Sequence, residues 1–277
     1  MTDAAEWQGD VGRVWAAEWC RTDRAFAGIA AALDRAILAA APAGAFAALD
    51  IGSGAGTTSL ALAAARPEAR ITGVDLSKDR VRVARQRVPS AASAHLSFCH
   101  GDALDAAAEL APLDLIFSRH GVMFFGDPVA AFVRLQAAAR PGARLVFSCF
   151  RSRGENPWAG GAADAVAQTG LPAATDAPGP FAFAQAERVD AILAAAGWRD
   201  AAAIPVDTVF RVGGGEDPVG DAVAFFRRIG SAASLLRALD PAERTRARER
   251  LADFAAAHRI GDTIDFPAAA WIWTATA

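Results

Sequence analysis

The sequence predicts an α/β fold with a mainly parallel sheet, and three observations support this prediction. The apolar run from Phe46 to Ile51 ends in three glycines at alternate positions, and an Ala/Leu-rich helical pattern follows at once. A second apolar run ends in an acid, Asp75, beyond a helical segment. Further strand-like runs alternate with helical segments up to residue 150, which is the pattern of strands joined by crossover helices.

Length and composition limit the class of protein. The chain has 277 residues, of which 53% are hydrophobic and 21% charged, enough for one or two globular units with a sizeable core. A net charge of -3 gives no global field for nucleic acid, so we expect no nucleic-acid partner. Three scattered cysteines without C-x-x-C spacing favour neither disulfides nor a metal site.

Charges interrupt the Ala-rich runs before they reach the length of a membrane span, so none is expected. The first six residues are polar and acidic, unlike a secretory leader. Together with the cysteine content, this predicts a cytoplasmic protein.

The glycine-rich stretch predicts a strand, a tight turn and a helix. Glycine allows positive φ and a close approach of a ligand, and the following helix offers unpaired N–H groups to that ligand. The dinucleotide fingerprint needs a small residue where Thr57 stands, which disfavours an NAD(P)-dependent oxidoreductase. Asp50 lies two residues before Gly52, and a carboxylate there suits a cationic ligand better than a pyrophosphate.

In these residues the chain resembles motif I of the class I S-adenosylmethionine-dependent methyltransferases. The resemblance implies S-adenosylmethionine as cofactor, S-adenosylhomocysteine as product and in-line transfer of a methyl group to an acceptor. It also implies a Rossmann-like, doubly wound, seven-stranded sheet, with six parallel strands and one antiparallel strand, a helical N-terminal lid and inserted helices. The Ser118 to Phe125 and Glu155 to Trp158 stretches are most similar to the bacterial small-molecule branch near the ubiquinone and menaquinone methyltransferases.

The cofactor candidates follow the glycines in chain order. Asp75 stands where Rossmann-type sheets bind ribose hydroxyls, although a helix N-cap is the alternative role. The resemblance assigns Leu76 to adenine packing and the Gly-Asp-Ala run at Asp102 to the adenine amino group, which a carboxylate can bind. The full set of cofactor candidates is Asp50, Gly52, Ser53, Gly54, Gly56, Asp75, Leu76, Asp102, Ala103, Ser118 and Arg119.

His120 is the catalytic candidate. Ligands of open α/β sheets lie outside the carboxyl ends of the strands, and His120 follows the fourth predicted strand. A histidine with an ordinary pKa near 6.5 can take a proton from a hydroxyl acceptor at neutral pH. The family has an aromatic residue here, usually Phe. We therefore hypothesise a base or an orienting residue, the alternative being a ring that stacks on the cofactor without proton transfer.

Three segments are expected within one structural domain. Residues 1–45 form a helical lid of two helices, separated near residues 21–23 with Thr22 or Asp23 as N-cap, unless these helices simply pack on the sheet. Residues 46–150 form the cofactor-binding core. Residues 151–277 complete the sheet, with substrate-shaping insertions at about 151–185 and 213–265.

The predicted acceptor is a small, lipophilic or aromatic molecule, because aromatic residues are frequent in the variable segments, although ordinary core packing explains them equally well. A binding module without methyl transfer is the alternative function. The sequence leaves open the acceptor, the atom that is methylated and a homodimer. The pocket candidates are Trp15, Trp19, Glu155, Asn156 and Trp158.

Overall fold

The computed structural model describes residues 4–168 and 177–277. The beginning of the acidic N-terminus, residues 1–3, and part of the predicted 151–185 insertion, residues 169–176, lie outside the described residues. Among the helices of the described ranges, none is both long enough and apolar enough to cross a membrane.

Within the described residues, eight strands form one sheet in the order β3-β2-β1-β4-β5-β8-β6, with β7 paired to β8. The strands are β1 (Ala47–Ile51), β2 (Arg70–Asp75), β3 (Leu96–His100), β4 (Leu113–Arg119), β5 (Ala139–Phe150), β6 (Arg199–Gly214), β7 (Arg259–Ile260) and β8 (Thr263–Thr276). The first five strands are parallel, and β8 runs antiparallel to both β5 and β6. The predicted fold is therefore confirmed, and the strand count is eight rather than seven because the two-residue strand β7 is added.

The helices cover both faces of the sheet. They are α1 (Ala4–Gln8), α2 (Asp10–Ala17), α3 (Trp19–Ala25), α4 (Ala27–Ala40), α5 (Thr57–Ala65), α6 (Lys78–Gln86), α7 (Ala103–Leu110), α8 (Pro128–Ala138), α9 (Pro157–Ala167), α10 (Ala186–Ala195), α11 (Pro218–Phe226), α12 (Ser231–Ala238) and α13 (Pro241–Ala256). Strand β4 shows how the faces are used. Leu115 and Phe117 join one buried cluster and Ile116 joins the other, as expected for a strand that is covered on both sides.

The described part of the N-terminal segment, residues 4–45, contains four helices where the sequence predicted two. The predicted break near residues 21–23 is wrong, because α3 runs through it and the chain bends instead at Glu18 and Phe26. The Thr22 hydroxyl donates to the carbonyl of Trp19 within the same helix, at 3.0 Å. The Asp23 carboxylate pairs with arginines of the sheet and of α6, so neither residue acts as an N-cap.

The two longest strands form an antiparallel pair at one side of the sheet. Strand β6 runs from Arg199 through Gly213 and Gly214, so it extends into the predicted insertion at about 213–265. Helix α11 packs on this pair, and α12 follows it. This arrangement brings the α11–α12 connection next to the helices that precede β1, close to the carboxyl ends of β1, β2 and β4.

Candidate active site

The glycine turn after β1 is tied directly to the end of β2. Gly54 and Gly56 have φ of +59° and +86°, values that glycine adopts without strain. The Gly54 N–H donates to Asp75 Oδ2 at 2.8 Å, and the Ser77 N–H donates to Asp75 Oδ1 at 2.8 Å. Asp75 is buried, with 4% of its surface exposed. One carboxylate therefore orients both the turn and the loop that begins α6.

A cavity of about 190 Å³ opens beside this turn. Its lining includes part of the predicted cofactor set and several aromatic rings. The predicted residues that line it are Gly52, Asp75, Leu76, Arg119, His120, Trp15 and Trp158. The predicted residues that lie outside its lining are Asp50, Ser53, Gly54, Gly56, Asp102, Ala103, Ser118, Trp19, Glu155 and Asn156.

Two of the candidates outside the lining lie directly beneath the turn. Asp50 is buried, and its Oδ2 accepts a hydrogen bond from the Ser59 hydroxyl at 2.6 Å. Burial raises the pKa of Asp50 to about 7, in spite of the Ser59 hydrogen bond that lowers it. Ser118 donates to the carbonyl of Ile51 at 2.7 Å and accepts from the Gly121 N–H at 3.0 Å. Ser118 thus joins the end of β1 to the loop after β4.

Asp102 and Ala103 lie at the start of α7. The Asp102 carboxylate is exposed and accepts from the N–H groups of Leu104 at 2.7 Å and Asp105 at 3.4 Å, so it is an N-cap. The role towards adenine remains a prediction for this residue.

The three remaining pocket candidates support the wall from outside. Trp19 packs against the Arg87 guanidinium, whose carbon lies 4.0 Å from the ring centroid. Glu155 is paired with Ser152 and Arg151, and the Ser152 hydroxyl in particular lowers its pKa. Asn156 is fully buried and accepts from the Trp158 indole N–H at 3.1 Å, so it holds a wall residue in place.

His120 lies in the wall in an unusual environment. Its φ is +59°, its ring stacks on Phe150 with centroids 4.2 Å apart, and Phe26 lies 5.3 Å away. Neither ring nitrogen has a hydrogen-bond partner among the described residues, and both are buried. Burial, and secondly the charge of Arg119, lowers the pKa of His120 to about 3. The imidazole is therefore neutral and weakly basic, which argues against the base role hypothesised from the sequence and favours an orienting role.

We expect His120 to make the protein less stable as the pH falls from 6.5 to about 3. Over this range an unfolded histidine takes up a proton while the folded one, whose pKa is lowered to about 3, stays neutral. The free energy of unfolding therefore decreases by up to about 1.4 kcal/mol for each unit by which the pH falls. Denaturant titrations of the wild type and of His120→Phe should show a shallower pH dependence in the variant. His100→Gln, at an exposed position, is the control, and equal slopes for wild type and His120→Phe would contradict the assignment.

Comparison with known proteins identifies the family. A profile described as a methyltransferase domain matches residues 44–194, more than half of the chain. The chain belongs to this methyltransferase family. The class I S-adenosylmethionine-dependent methyltransferase predicted from the sequence is thereby confirmed as its family.

Individual relatives agree with this methyltransferase assignment. Trans-aconitate 2-methyltransferase from Azoarcus sp. (strain BH72) is 33% identical over 136 residues, which are 46% of this chain and 51% of that protein. The chain thus spans about half the length of the curated relative it matches. The YcgJ protein from Bacillus subtilis has a TM-score of 0.53 at 16% identity, over 89% of this chain and 97% of that one.

A third relative was solved with ligands bound. Phosphoethanolamine N-methyltransferase 2 from Haemonchus contortus, in complex with phosphomonomethylethanolamine and S-adenosylhomocysteine, has a TM-score of 0.53 at 17% identity. The aligned region covers 96% of this chain and 57% of that one. The chain shares its fold with both structures, one of which is a methyltransferase.

Three buried polar atoms beside the glycine turn and the end of β4 lack partners. Asp50 Oδ1 and Ser53 Oγ, at the glycine turn, and Arg119 Nη1, at the end of β4, have no hydrogen-bond partner among the described residues. Buried polar atoms are normally paired, so such a group indicates a ligand or a water. A zwitterionic, cationic ligand supplies donors for the oxygens and a carboxylate for the guanidinium, so the residues fit S-adenosylmethionine.

The first three helices form a roof over the methyltransferase cavity. We call α1, α2 and α3 the roof helices, because Trp7, Trp15 and Thr22 all contribute to the cavity wall. Gly12 allows this approach, since a Cβ there would lie 2.3 Å from Ser77 Oγ at the start of α6. The sequence placed Trp7, Trp15 and Trp19 in the lid, but Trp7 was not among the predicted pocket residues.

Ion pairs fasten the roof helices at two places. Asp23 of α3 pairs with Arg119 after β4 at 3.2 Å and with Arg87 after α6 at 3.0 Å. The Thr57 hydroxyl also donates to Asp23 at 2.7 Å. This first cluster links the roof helices to the glycine turn and to the cavity wall.

The second place is the contact between α3 and α11. Asp221 pairs with Arg21 at 2.7 Å and Arg24 at 2.6 Å, while the buried Glu18 pairs with Arg21 at 2.7 Å and Arg228 at 2.5 Å. The two residues that follow Arg228, Ile229 and Gly230, line the cavity. The roof helices and the α11–α12 connection therefore meet around the cavity.

Arg80 is the wall residue whose importance the sequence gave least reason to expect. Its guanidinium pairs with Asp75 at 3.4 Å and lies 5.3 Å and 5.6 Å from the ring centroids of Trp7 and Trp15. It also covers the glycine turn, because a Cβ on Gly54 would lie 2.1 Å from Arg80 Nη2. The signal that the sequence offered was an arginine five residues after Asp75, the acid predicted to bind ribose.

Proposed function

We propose that this protein transfers a methyl group from S-adenosylmethionine to a small, apolar acceptor that binds in the cavity beside the glycine turn. One observation carries the proposal. The same cavity is lined by Gly52, Asp75 and Leu76 on one side and by the rings of Phe150 and Trp158 on another, so a cofactor and an acceptor have adjacent places.

The chain's residues take distinct roles in this proposal. Asp75 holds the ribose, Leu76 packs on adenine, and Asp102 binds the adenine amino group. Asp50 and Ser53 lie beside the amino-acid end of the cofactor, and Arg119 binds its carboxylate through the unpartnered Nη1. When bound, the cofactor supplies an electrophilic methyl group on a positively charged sulfur.

The protein's contribution to the reaction is then chiefly positioning and exclusion of water. Holding the reacting atoms in near-attack geometry is worth up to about 7–11 kcal/mol in model reactions. The neutral ring of His120 orients the acceptor and does not remove a proton. Residues 1–45 act as the lid: Trp7 and Trp15 cover the cavity, and the ion pairs of Asp23 and Asp221 hold the segment closed.

The curated relative also supports a small acceptor, because its name specifies trans-aconitate. The cavity volume of about 190 Å³ is smaller than the roughly 300–1,000 Å³ usual for small-molecule sites. Arg80 accounts for part of this difference, because its side chain covers the glycine turn. We propose that Arg80 moves away from Asp75 when the cofactor binds.

Two measurements, made one after the other, test the proposed function. Calorimetric titration with S-adenosylhomocysteine should show one site per chain. Release of S-adenosylhomocysteine from S-adenosylmethionine should then depend on an added small acceptor. A protein that binds neither cofactor form would contradict the proposal, whereas binding without turnover across a broad panel of acceptors would favour a binding module.

Cofactor binding should release protons from Asp50. Burial raises the pKa of Asp50 to about 7, so the carboxyl is roughly half protonated at neutral pH, and a nearby cation favours the ionised form. The affinity for S-adenosylmethionine should therefore decrease by about tenfold from pH 8 to pH 6. Titrations in buffers of different ionisation enthalpy measure the released proton. Asp50→Asn should abolish the proton release that is due to Asp50. An unchanged proton release in this variant would refute the role of Asp50.

A further inference from the structure

The charged residues of the cavity wall indicate the chemistry of the acceptor. Three of the described residues that line the cavity carry charge: Asp75, Arg80 and Arg119. Asp23, Asp34 and Asp50 all lie close enough to Arg119 to compensate its charge, whereas Arg80 has one ion pair among the described residues, with Asp75. Arg80 is therefore the less compensated cation of the wall, and a cationic cofactor adds further positive charge. An anionic acceptor is favoured by this arrangement.

Among the described residues, the wall also offers no base to an acceptor that must lose a proton. His120 is neutral and weakly basic, and the Asp75 carboxylate already accepts two backbone N–H groups. A phenol, an alcohol or an ammonium group would have to lose its proton without help from these residues. A carboxylic acid with an ordinary pKa near 4 is already ionised at neutral pH. It needs no base.

Arg80 is placed to bind such an anion. Its one ion pair in the described structure, with Asp75, is long at 3.4 Å, and its side chain is only 17% exposed. If ribose takes the Asp75 carboxylate, the guanidinium moves away from this partner but stays at the cavity wall beside the rings of Trp7 and Trp15. A guanidinium released in this way is a strong, bidentate partner for a carboxylate.

We propose that the acceptor carries a carboxylate, that Arg80 binds this carboxylate once the cofactor occupies Asp75, and that the product is a methyl ester; this rests on the methyl transfer proposed above. An acceptor carboxylate oxygen forms the new bond to the methyl carbon. The carbon–sulfur bond of the methyl donor breaks, and its electron pair goes to sulfur. No proton is released, and the neutral ester no longer binds to the guanidinium.

The test compares cinnamate with cinnamyl alcohol, which share a flat ring and chain but differ in charge. Binding of each probe to protein saturated with S-adenosylhomocysteine is measured by calorimetry. The wild type should bind cinnamate at least tenfold more tightly than cinnamyl alcohol. In Arg80→Gln this preference should disappear, while S-adenosylhomocysteine binds as well as in the wild type or better, because no guanidinium competes for Asp75. A variant that loses the preference for cinnamate but still binds S-adenosylhomocysteine is folded, so the loss reflects acceptor recognition and not misfolding.

Two further variants complete the design. Arg80→Lys keeps the charge and should keep most of the preference for cinnamate. Arg134→Gln removes an exposed arginine of α8, remote from the cavity lining, and should behave as the wild type. Equal binding of the two probes, undetectable binding of cinnamate, or an undiminished preference in folded Arg80→Gln would overturn the inference. Absence of S-adenosylhomocysteine binding by the wild type would instead refute the proposed function.

Discussion

Replacing Asp75 by Asn should weaken S-adenosylhomocysteine binding by about 100-fold or more. The carboxylate accepts hydrogen bonds from Gly54 and Ser77, and in our proposal it also accepts from the ribose. Each hydrogen bond to a charged group contributes about 1.5–3 kcal/mol, so two ribose bonds correspond to at least a 100-fold change in affinity. Calorimetry on the folded variant measures the loss.

A control for this variant lies four residues further on, in helix α6. Asp79 is only weakly paired, at 3.7 Å from Arg82, and is not among the residues that line the cavity. Asp79→Asn should bind S-adenosylhomocysteine like the wild type. If Asp75→Asn folds and binds as tightly as Asp79→Asn, Asp75 does not hold the cofactor, and the assignment of the whole turn fails with it.

The second large effect is expected at Asp23, the residue that joins the roof helices to the sheet. Asp23→Asn removes the ion-pair partner that Arg87 and Arg119 share in the described structure, and their side chains are only 21% and 14% exposed. Breaking a fully buried pair costs about 3–5 kcal/mol, and partial exposure reduces this to about 2–4 kcal/mol here. Denaturant unfolding should show this decrease in the free energy of unfolding.

Asp10 offers a matched comparison on the neighbouring helix α2. It also pairs with an arginine, Arg13, but its side chain is 87% exposed. Asp10→Asn should leave the free energy of unfolding unchanged within error, since exposed pairs contribute little. Equal stability of the Asp10 and Asp23 variants would show that the Asp23 cluster does not hold the roof helices in place.

The sequence predicted the glycine turn and the acid at the end of β2 because both are encoded locally. Gly54 and Asp75 are 21 residues apart, within one strand-helix-strand unit, and their residue types have few other uses at that spacing. The alternation of apolar runs with helical segments predicted the fold for the same reason. Strand β7 has only two residues, which is too short for any periodicity to indicate.

The acceptor side was harder to predict because its contacts join distant parts of the chain. Asp23 resembles an N-cap by local rules, yet its partner Arg119 is 96 residues away. Asn156 looked like a polar pocket residue, but it binds the backbone of Ala269, 113 residues further on. Arg80 lies on an ordinary helical turn. Its position beside Trp7 and Trp15 depends on how the roof helices pack, which no short motif encodes.

The pairing of Arg21 with Asp221 spans 200 residues, and this separation has a consequence for synthesis on the ribosome. Helix α3 emerges early, but its partner on α11 is made only when four-fifths of the chain has been translated. Until then Trp7 and Trp15 lack part of the surface that keeps them in place, and exposed apolar rings favour aggregation of nascent chains. Slow translation or truncation before α11 should therefore increase the demand for chaperones, even though the glycine turn is already complete.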